Sequence, residues 1–332
     1  MRRIVLKDHP IFICGHPKSG TSLMRNLLDH HPQLAVYPEE SQFFRNFMPK
    51  AAGLSLEQII ELGEKELLHI FEWNLEDPPE HQAGFLDRDY SAISFEEIKR
   101  KFGELLRVEG VRHPGDALWA AAQTFSQVSG GQVEKLVGWV EKTPFNEYYA
   151  PRIFGWWPEA RCIHIVRDPR DNYASYQQKQ ESWSPGKFSA HWNRSTAAGC
   201  LNAAEFGEDR YWILRYEDLV TEPEKVLAQV CQFLGIEDDP ALRKPTRAGD
   251  LWRGNSMFED KYREISPAAV GRWKDQLPAS QAGVVQVASR QYIQRFNYQD
   301  LIPVSLPDRL TGWYWRLRGQ FYDLRNGLRR KA

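Results

Sequence analysis

Residues 11–25, IFICGHPKSGTSLMR, have the frame of a phosphate-binding turn: an apolar run, Gly15, four residues, Gly20, then hydroxyl residues opening a helix. A helix N-terminus attracts anions because its first N–H groups lack intrahelical partners and the helix dipole favours negative charge. Ser19, Gly20, Thr21 and Ser22 combine such N–H donors with hydroxyls and a glycine that lets the backbone come close. An ordinary polar-capped turn is the plainer account. Glycine, proline, lysine and three hydroxyl residues in one turn favour the anion site. In nucleotide-triphosphate loops a lysine follows the second glycine; here Thr21 stands there and Lys18 lies inside the loop.

A second candidate phosphate contact lies in RDPRDNYASY, residues 167–176. Arg167 ends an apolar run, and Ser175 falls two turns into the helix expected after it. The two can converge on one phosphate, to which arginine offers a planar fork of donors. The alternative is an Arg–Asp pair closing a strand with the serine merely on a helix. A kinase or ATPase would need an acidic residue at a strand end for Mg²⁺. The strand ends here read Val-Glu-Lys142 and Val-Arg167-Asp168, so cations stand where a metal would sit.

Together these segments resemble the sulfotransferases that use 3′-phosphoadenosine 5′-phosphosulfate (PAPS), and in motif pattern the tyrosylprotein and heparan-type members with a glutamate base. The resemblance is carried by PKSGTS (17–22), EKTPF (141–145), Arg167 and Ser175, RYEDLV (215–220) and VGRWKDQLP (270–278), in order across about 260 residues. It implies that Lys18 contacts the bridging oxygen and, with Ser19, Gly20, Thr21 and Ser22, the 5′-phosphosulfate. It assigns transition-state stabilisation to Lys142 and a hydroxyl near the sulfate to Ser256, in WRGNSMF. Arg167 and Ser175 would hold the 3′-phosphate, with Lys179 where some relatives carry arginine. Tyr216 resembles a position near the nucleotide, and Arg263, ten residues before Trp273, a basic nucleotide contact. The cofactor implied is PAPS, with PAP as product and no metal required.

The base is the informative departure. Cytosolic small-molecule sulfotransferases carry a histidine shortly after the position of Lys142; here the chain reads Thr143-Pro144-Phe145. Instead YPEESQFF (37–44) resembles the segment with the catalytic glutamate, and aligning Phe43-Phe44 selects Glu40 over Glu39. The alternative for either glutamate is a solvated loop charge. The acceptor that fits first is a saccharide or glycan, then a tyrosine or phenol, then a lipid-like alcohol. Most of the abundant tryptophans belong in the core, and others suit an acceptor cleft. Two alternatives are a P-loop kinase using ATP and a nucleotide-binding module without catalysis.

These residues need a scaffold that brings strand ends together. Apolar runs at 11–15, 33–37, 135–140, 161–167 and 211–216 alternate with helical patterns, which predicts an α/β fold with a mainly parallel, P-loop-type sheet flanked by helices. Residues 45–130 break the alternation and predict a helical insertion over one sheet edge; Ser55 with Gln58 and Ser94 with Glu97 read as capping boxes. Residues 240–265 predict a long loop, with helices at 267–276 and 279–295. One domain would span 1–300.

The chain's 332 residues carry a net charge of −1, so bulk charge calls for no nucleic acid. Its four cysteines lack metal-like spacing, which suits a reducing compartment. No apolar run is long enough to span a bilayer or act as a signal peptide, and the expected location is cytoplasmic. Residues 301–332 end in an arginine-rich helical pattern in which Leu310, Trp313, Leu317, Phe321, Leu324 and Leu328 share one spacing. It suits a helix docked on its own domain or self-associating, or one lying on a membrane surface, which would fit a lipid-linked acceptor.

Overall fold

Five short strands form one parallel sheet in the order β2-β3-β1-β4-β5: β1 Pro10–Cys14, β2 Leu34–Val36, β3 Gly138–Lys142, β4 Arg161–Val166 and β5 Tyr211–Arg215. The coordinates are a computed structural model describing residues 6–85, 87–252, 254 and 264–327, with side chains through residue 319. Helices cover both faces, so β1 is buried throughout and reads as a continuous apolar run. Its side chains alternate between two cores. Phe12 and Cys14 join Trp139, Trp157 and the helices after β2, while Ile11 and Ile13 join Val140, Ile163, Ile165 and the first helix, α1 (Thr21–Leu28).

The third strand begins three residues later than expected, because Val133–Lys135 close a 3₁₀ turn. It also continues through Glu141 and Lys142, whose charges end the apolar run at Val140 although both are buried. Between β2 and β3 lie α2 (Leu56–Gly63), α3 (Phe95–Glu109) and α4 (Gly115–Val128). Ser55 and Gln58 form a reciprocal capping box, and Ser94 Oγ accepts the N–H of Glu97. Helix α4 packs on β2 and β3, so it serves as the crossover of the parallel sheet as well as part of the region expected as an insertion.

The second half adds α5 (Ala150–Trp156), α6 (Pro169–Gln177), α7 (Pro185–Phe206), α8 (Tyr216–Thr221) and α9 (Pro223–Leu234). The expected loop at 240–265 contains a small hairpin, β6 (Thr246–Arg247) with β7 (Asp250–Leu251), tied to Asp29 by Thr246 Oγ1 at 2.8 Å. The helix expected at 267–276 is instead a 3₁₀ turn, Pro267–Ala269, and the single turn α10, Trp273–Gln276. Gly271, at φ 75°, separates them. Then come α11 (Ala279–Ala288), α12 (Arg290–Arg295) and α13 (Leu306–Gly327).

Helix α13 docks on α11 and α7. Its docked face differs from the expected apolar one. Gly312 sits so close to Val287 that a Cβ there would come within 2.6 Å, and Trp315 fills the space over Gly186. Leu310, Trp313 and Leu317 point away, each more than half exposed. The side chains of Phe321, Leu324 and Leu328 lie outside the described residues. Among the described residues, no helix is long and apolar enough to cross a membrane.

Candidate active site

All five strands end at one edge, and the segments leaving β1, β4 and β5, with Pro245, Trp252 and Ala269, line an open cleft of about 800 Å³ there. Ligands of open parallel sheets bind at this carboxyl edge, where neighbouring connections diverge. Lys18 and Gly20 follow β1, Arg167 and Ser175 follow β4, and Tyr216 follows β5; all five line the cleft. Lys142 is the last residue of β3, and Glu40 lies four residues beyond β2.

The loop after β1 is held in a conformation that few side chains accept. Gly20, the cap of α1, has φ 100° and lies under the Tyr216 ring, where a Cβ would come within 2.5 Å of the ring. Lys18 has φ 67°, in the left-handed region that ordinary residues rarely enter. Ser19 Oγ donates to the carbonyl of His16 at 2.6 Å, so this hydroxyl braces the turn. The first turn of α1 carries no acidic residue, which leaves its positive end uncompensated.

Arg167 is buried beneath this loop. Its Nη1 donates to Ser175 Oγ at 3.2 Å and to the Lys18 carbonyl at 3.1 Å; its Nη2 donates to the Ala269 carbonyl at 2.8 Å. The guanidinium lies 4.7 Å from the centre of the Tyr216 ring. Among the described residues its buried Nε finds no partner, a donor of the kind a bound anion would satisfy. The structure thus brings together Lys18, Ser19, Gly20, Thr21, Ser22, Arg167, Ser175 and Tyr216. Asp171 holds the neighbouring GRWKDQ segment by accepting the N–H groups of Gly271 and Trp273 at 2.7 and 2.8 Å.

Lys142 Nζ donates to Glu40 Oε1 at 2.5 Å and to Ser22 Oγ at 3.1 Å. Burial lowers the Lys142 ammonium's pKa, and the Glu40 charge opposes the shift. Partial desolvation pushes the Glu40 carboxyl up, but the charge and hydrogen bond of Lys142 outweigh it, so its pKa is lowered. Burial, then the neighbouring Lys179 charge, brings Lys18 down from 10.5 to about 8. Lys179 itself is exposed beyond the end of α6, where its charge is felt by Lys18 and Glu40. Ser256 and Arg263 lie outside the described residues.

The two adjacent glutamates part company. Glu39 is buried within an arginine cage: Arg88 at 2.7 Å, Arg247 at 3.8 Å and Arg25 at 4.0 Å, with the Tyr90 hydroxyl donating at 3.1 Å. It joins three chain segments, while Glu40, its side chain 40% exposed, reaches Lys142, which also donates to Ser22 of the cleft wall. His16, the histidine of the loop, is packed among Phe145, Tyr176 and Phe188. Burial lowers its pKa to about 4, which keeps it neutral near pH 7.

Three buried carboxylates that support the site were not singled out for this work in the sequence. Glu141 accepts from Ser41 Oγ at 2.7 Å, Thr143 Oγ1 at 2.5 Å and Asn146 Nδ2 at 2.6 Å, so it pins the Glu40 segment to β3. A carboxylate directly after the apolar run that ends at Val140 was the available signal. Glu147 accepts the Gly15 N–H at 3.1 Å and the Ser195 hydroxyl; burial raises its pKa to about 7. Glu217, in the first turn of α8, accepts the Asp168 N–H at 2.8 Å and joins the segments leaving β5 and β4. Among the described residues, Cys14, Glu147 and His164 are grouped closely enough to share a metal ion. They are buried, and Cys14 and His164 both reach the Tyr211 hydroxyl, at 3.5 and 2.8 Å.

A second cleft, of about 590 Å³, adjoins Glu40 through Gln42, whose Nε2 donates to Glu40 Oε2 at 3.2 Å. Its walls include Arg45, Thr143, Phe145, Tyr148, His191 and Arg194.

Residues 10–240 match the model of the family described as the Sulfotransferase family. The chain is 26% identical to the omega-hydroxy-beta-dihydromenaquinone-9 sulfotransferase of Mycobacterium bovis, over 70% of this chain and 64% of that protein. It therefore spans slightly less than two thirds of that relative's length. It is 25% identical to protein-tyrosine sulfotransferase 1 of Danio rerio, over 82% of this chain and 68% of that one. The sulfotransferase domain from the Synechococcus olefin synthase shares its fold, with a TM-score of 0.54 at 21% identity, covering 88% of this chain and 96% of that domain.

Proposed function

The chain belongs to the sulfotransferase family, and from that membership we propose that it moves a sulfuryl group from PAPS to an acceptor hydroxyl, releasing PAP. The observation that carries this reading is the meeting of Lys142 with Glu40 at 2.5 Å, beside a loop that presents Lys18 and covers Arg167. The donor supplies an activated sulfur–oxygen bond with a phosphate as leaving group. Arg167 and Ser175 hold its 3′-phosphate, and the N–H groups of residues 19–22 with the hydroxyls of Thr21 and Ser22 hold the 5′ end, while the Ser19 hydroxyl braces the loop. Tyr216 packs beside the nucleotide, and Lys179, Ser256 and Arg263 remain candidates for further contacts.

Glu40 accepts the acceptor's proton as the hydroxyl oxygen bonds to sulfur. Lys18 and Lys142 face the negative charge that develops as the old sulfur–oxygen bond breaks and its electron pair leaves with the phosphate. For this, Lys142 must turn from Glu40 toward the incoming anion. The exchange frees the carboxylate and raises its basicity at the moment it is needed. The acceptor enters by the cleft beside Gln42, whose aromatic walls suit a sugar, phenol or lipid-like alcohol. Relatives named for protein tyrosine and a menaquinone-derived alcohol span the last two classes. The reaction needs no metal in this reading and takes place in the cytoplasm.

Two measurements test it. PAP should raise the melting temperature in the presence of EDTA, and ATP with Mg²⁺ should do so much less; equal stabilisation by ATP would support a kinase. Mass spectrometry should then find a product heavier by one sulfuryl group when PAPS and candidate alcohols are supplied.

A further inference from the structure

Helix α13 presents an apolar stripe to solvent. Leu306, Leu310, Trp313 and Leu317 recur at three- and four-residue spacing and are 66%, 55%, 51% and 55% exposed. At 3.6 residues per turn they occupy a stripe about 60° wide. Arg309 and Arg316 border it on one side, and Tyr314 and Arg318 on the other. Arg318 lies 5.0 Å from the Trp315 ring centre and donates to the Tyr314 hydroxyl at 3.1 Å. Asp308 falls on the opposite side of the helix, where it accepts from Ser305 Oγ at 2.6 Å. The stripe is not left over from docking, because Gly312 and Trp315 already bind the domain through the other face.

Charge follows the same division. Residues 306–332 hold seven arginines and lysines against Asp308 and Asp323, a net of +5, in a chain whose total is −1; residues 1–305 therefore carry −6. Pairing this face with its like in a second copy would bring arginine borders together. An anionic surface complements them. An apolar stripe between arginine rows, on a helix of 22 residues (about 33 Å long), has the dimensions of a helix lying in a bilayer interface.

We propose that the solvent face of α13 binds the surface of an anionic lipid bilayer, with Leu306, Leu310, Trp313 and Leu317 entering the interface and Arg309, Arg316 and Arg318 reaching lipid phosphates. The arginine stems cover apolar surface while their heads stay at phosphate level. Because α7 carries both Gly186, under Trp315, and the cleft residues His191 and Arg194, this contact fixes the second cleft at a set position relative to the membrane. The inference does not depend on sulfuryl transfer.

The test is co-sedimentation of the full chain with vesicles of phosphatidylcholine alone or mixed with phosphatidylglycerol. Binding should be at least about tenfold stronger to the mixed vesicles and should weaken with salt, as expected of several arginines near charged lipid. The variant Leu310→Ser/Trp313→Ser/Leu317→Ser and the variant Arg309→Glu/Arg318→Glu should each lose about tenfold or more in binding. Both should keep the PAP-induced rise in melting temperature. The charge variant leaves the apolar stripe whole and keeps the test decisive if the triple variant folds poorly. Equal binding to both vesicle types, or a charge variant that binds like the wild type, would overturn the proposal. So would a lipid-free dimer, by light scattering, that the triple variant converts to monomer.

Discussion

Lys142 Nζ lies 2.5 Å from Glu40 Oε1 and 3.1 Å from Ser22 Oγ of the cleft wall, which joins the end of β3 to the segment after β2. Each group sets the other's ionisation. The lysine keeps the carboxyl below its usual range, and the carboxylate limits how far burial can discharge the lysine. In the proposed reaction this pair is the resting state, and an incoming sulfuryl donor competes with Glu40 for Lys142.

Lys142→Ala should therefore lower kcat by about 10²–10³, the usual cost of removing a group that stabilises transition-state charge. PAP affinity should change much less, because the lysine's resting partners are Glu40 and Ser22. Steady-state kinetics with PAP titrations separate the two effects. An unchanged kcat would remove Lys142 from the chemistry.

Lys18 gives a pH signature. Its pKa of about 8 means that the ammonium is charged below pH 8 and lost above it. PAP affinity should be flat from pH 6 to 7.5 and fall above about pH 8, approaching tenfold per unit if one retained proton is needed. Lys18→Arg should abolish that limb, because arginine stays protonated across the range. A wild-type profile without the fall would show that the charge on Lys18 does not assist binding.

Much of this site was legible in the sequence, and the reason is physical. Loop and strand-end residues such as Lys18, Gly20, Arg167 and Ser175 carry unusual types at fixed spacing, so their chemistry is local. The alternation of apolar runs likewise predicts the five parallel strands. What was hidden depends on distant partners: Glu141 and Glu147 act through Ser41 and Gly15, more than ninety residues away in the chain. The docked face of α13 was hidden for a related reason. Periodicity finds an apolar stripe but cannot say which side a glycine-mediated contact will bury, and Gly312 and Gly186 decided it.

Glu39 serves the opposite purpose to its neighbour. Glu39→Gln leaves Arg88, Arg25 and Arg247 without their shared carboxylate. Breaking a buried ion pair from one side costs about 3–5 kcal/mol, so thermal unfolding should shift down by several degrees. At a temperature where the variant is folded, kcat should stay within about an order of magnitude of wild type, far above the loss expected at a general base. A variant with unaltered melting temperature and no turnover would reverse the roles given to the two glutamates.

The most direct test of sulfuryl transfer with a carboxylate base is single-turnover transfer from saturating PAPS by wild type and Glu40→Gln, with PAP affinity measured on the same samples. The glutamine keeps the shape and gives up the basicity. The expected result is a rate loss of about 10²–10⁴ with PAP affinity nearly intact. The wild-type rate should rise with pH through one ionisation, and that limb should vanish when Glu40 is replaced. A Glu40→Gln protein that transfers sulfate at the wild-type rate would contradict the assignment.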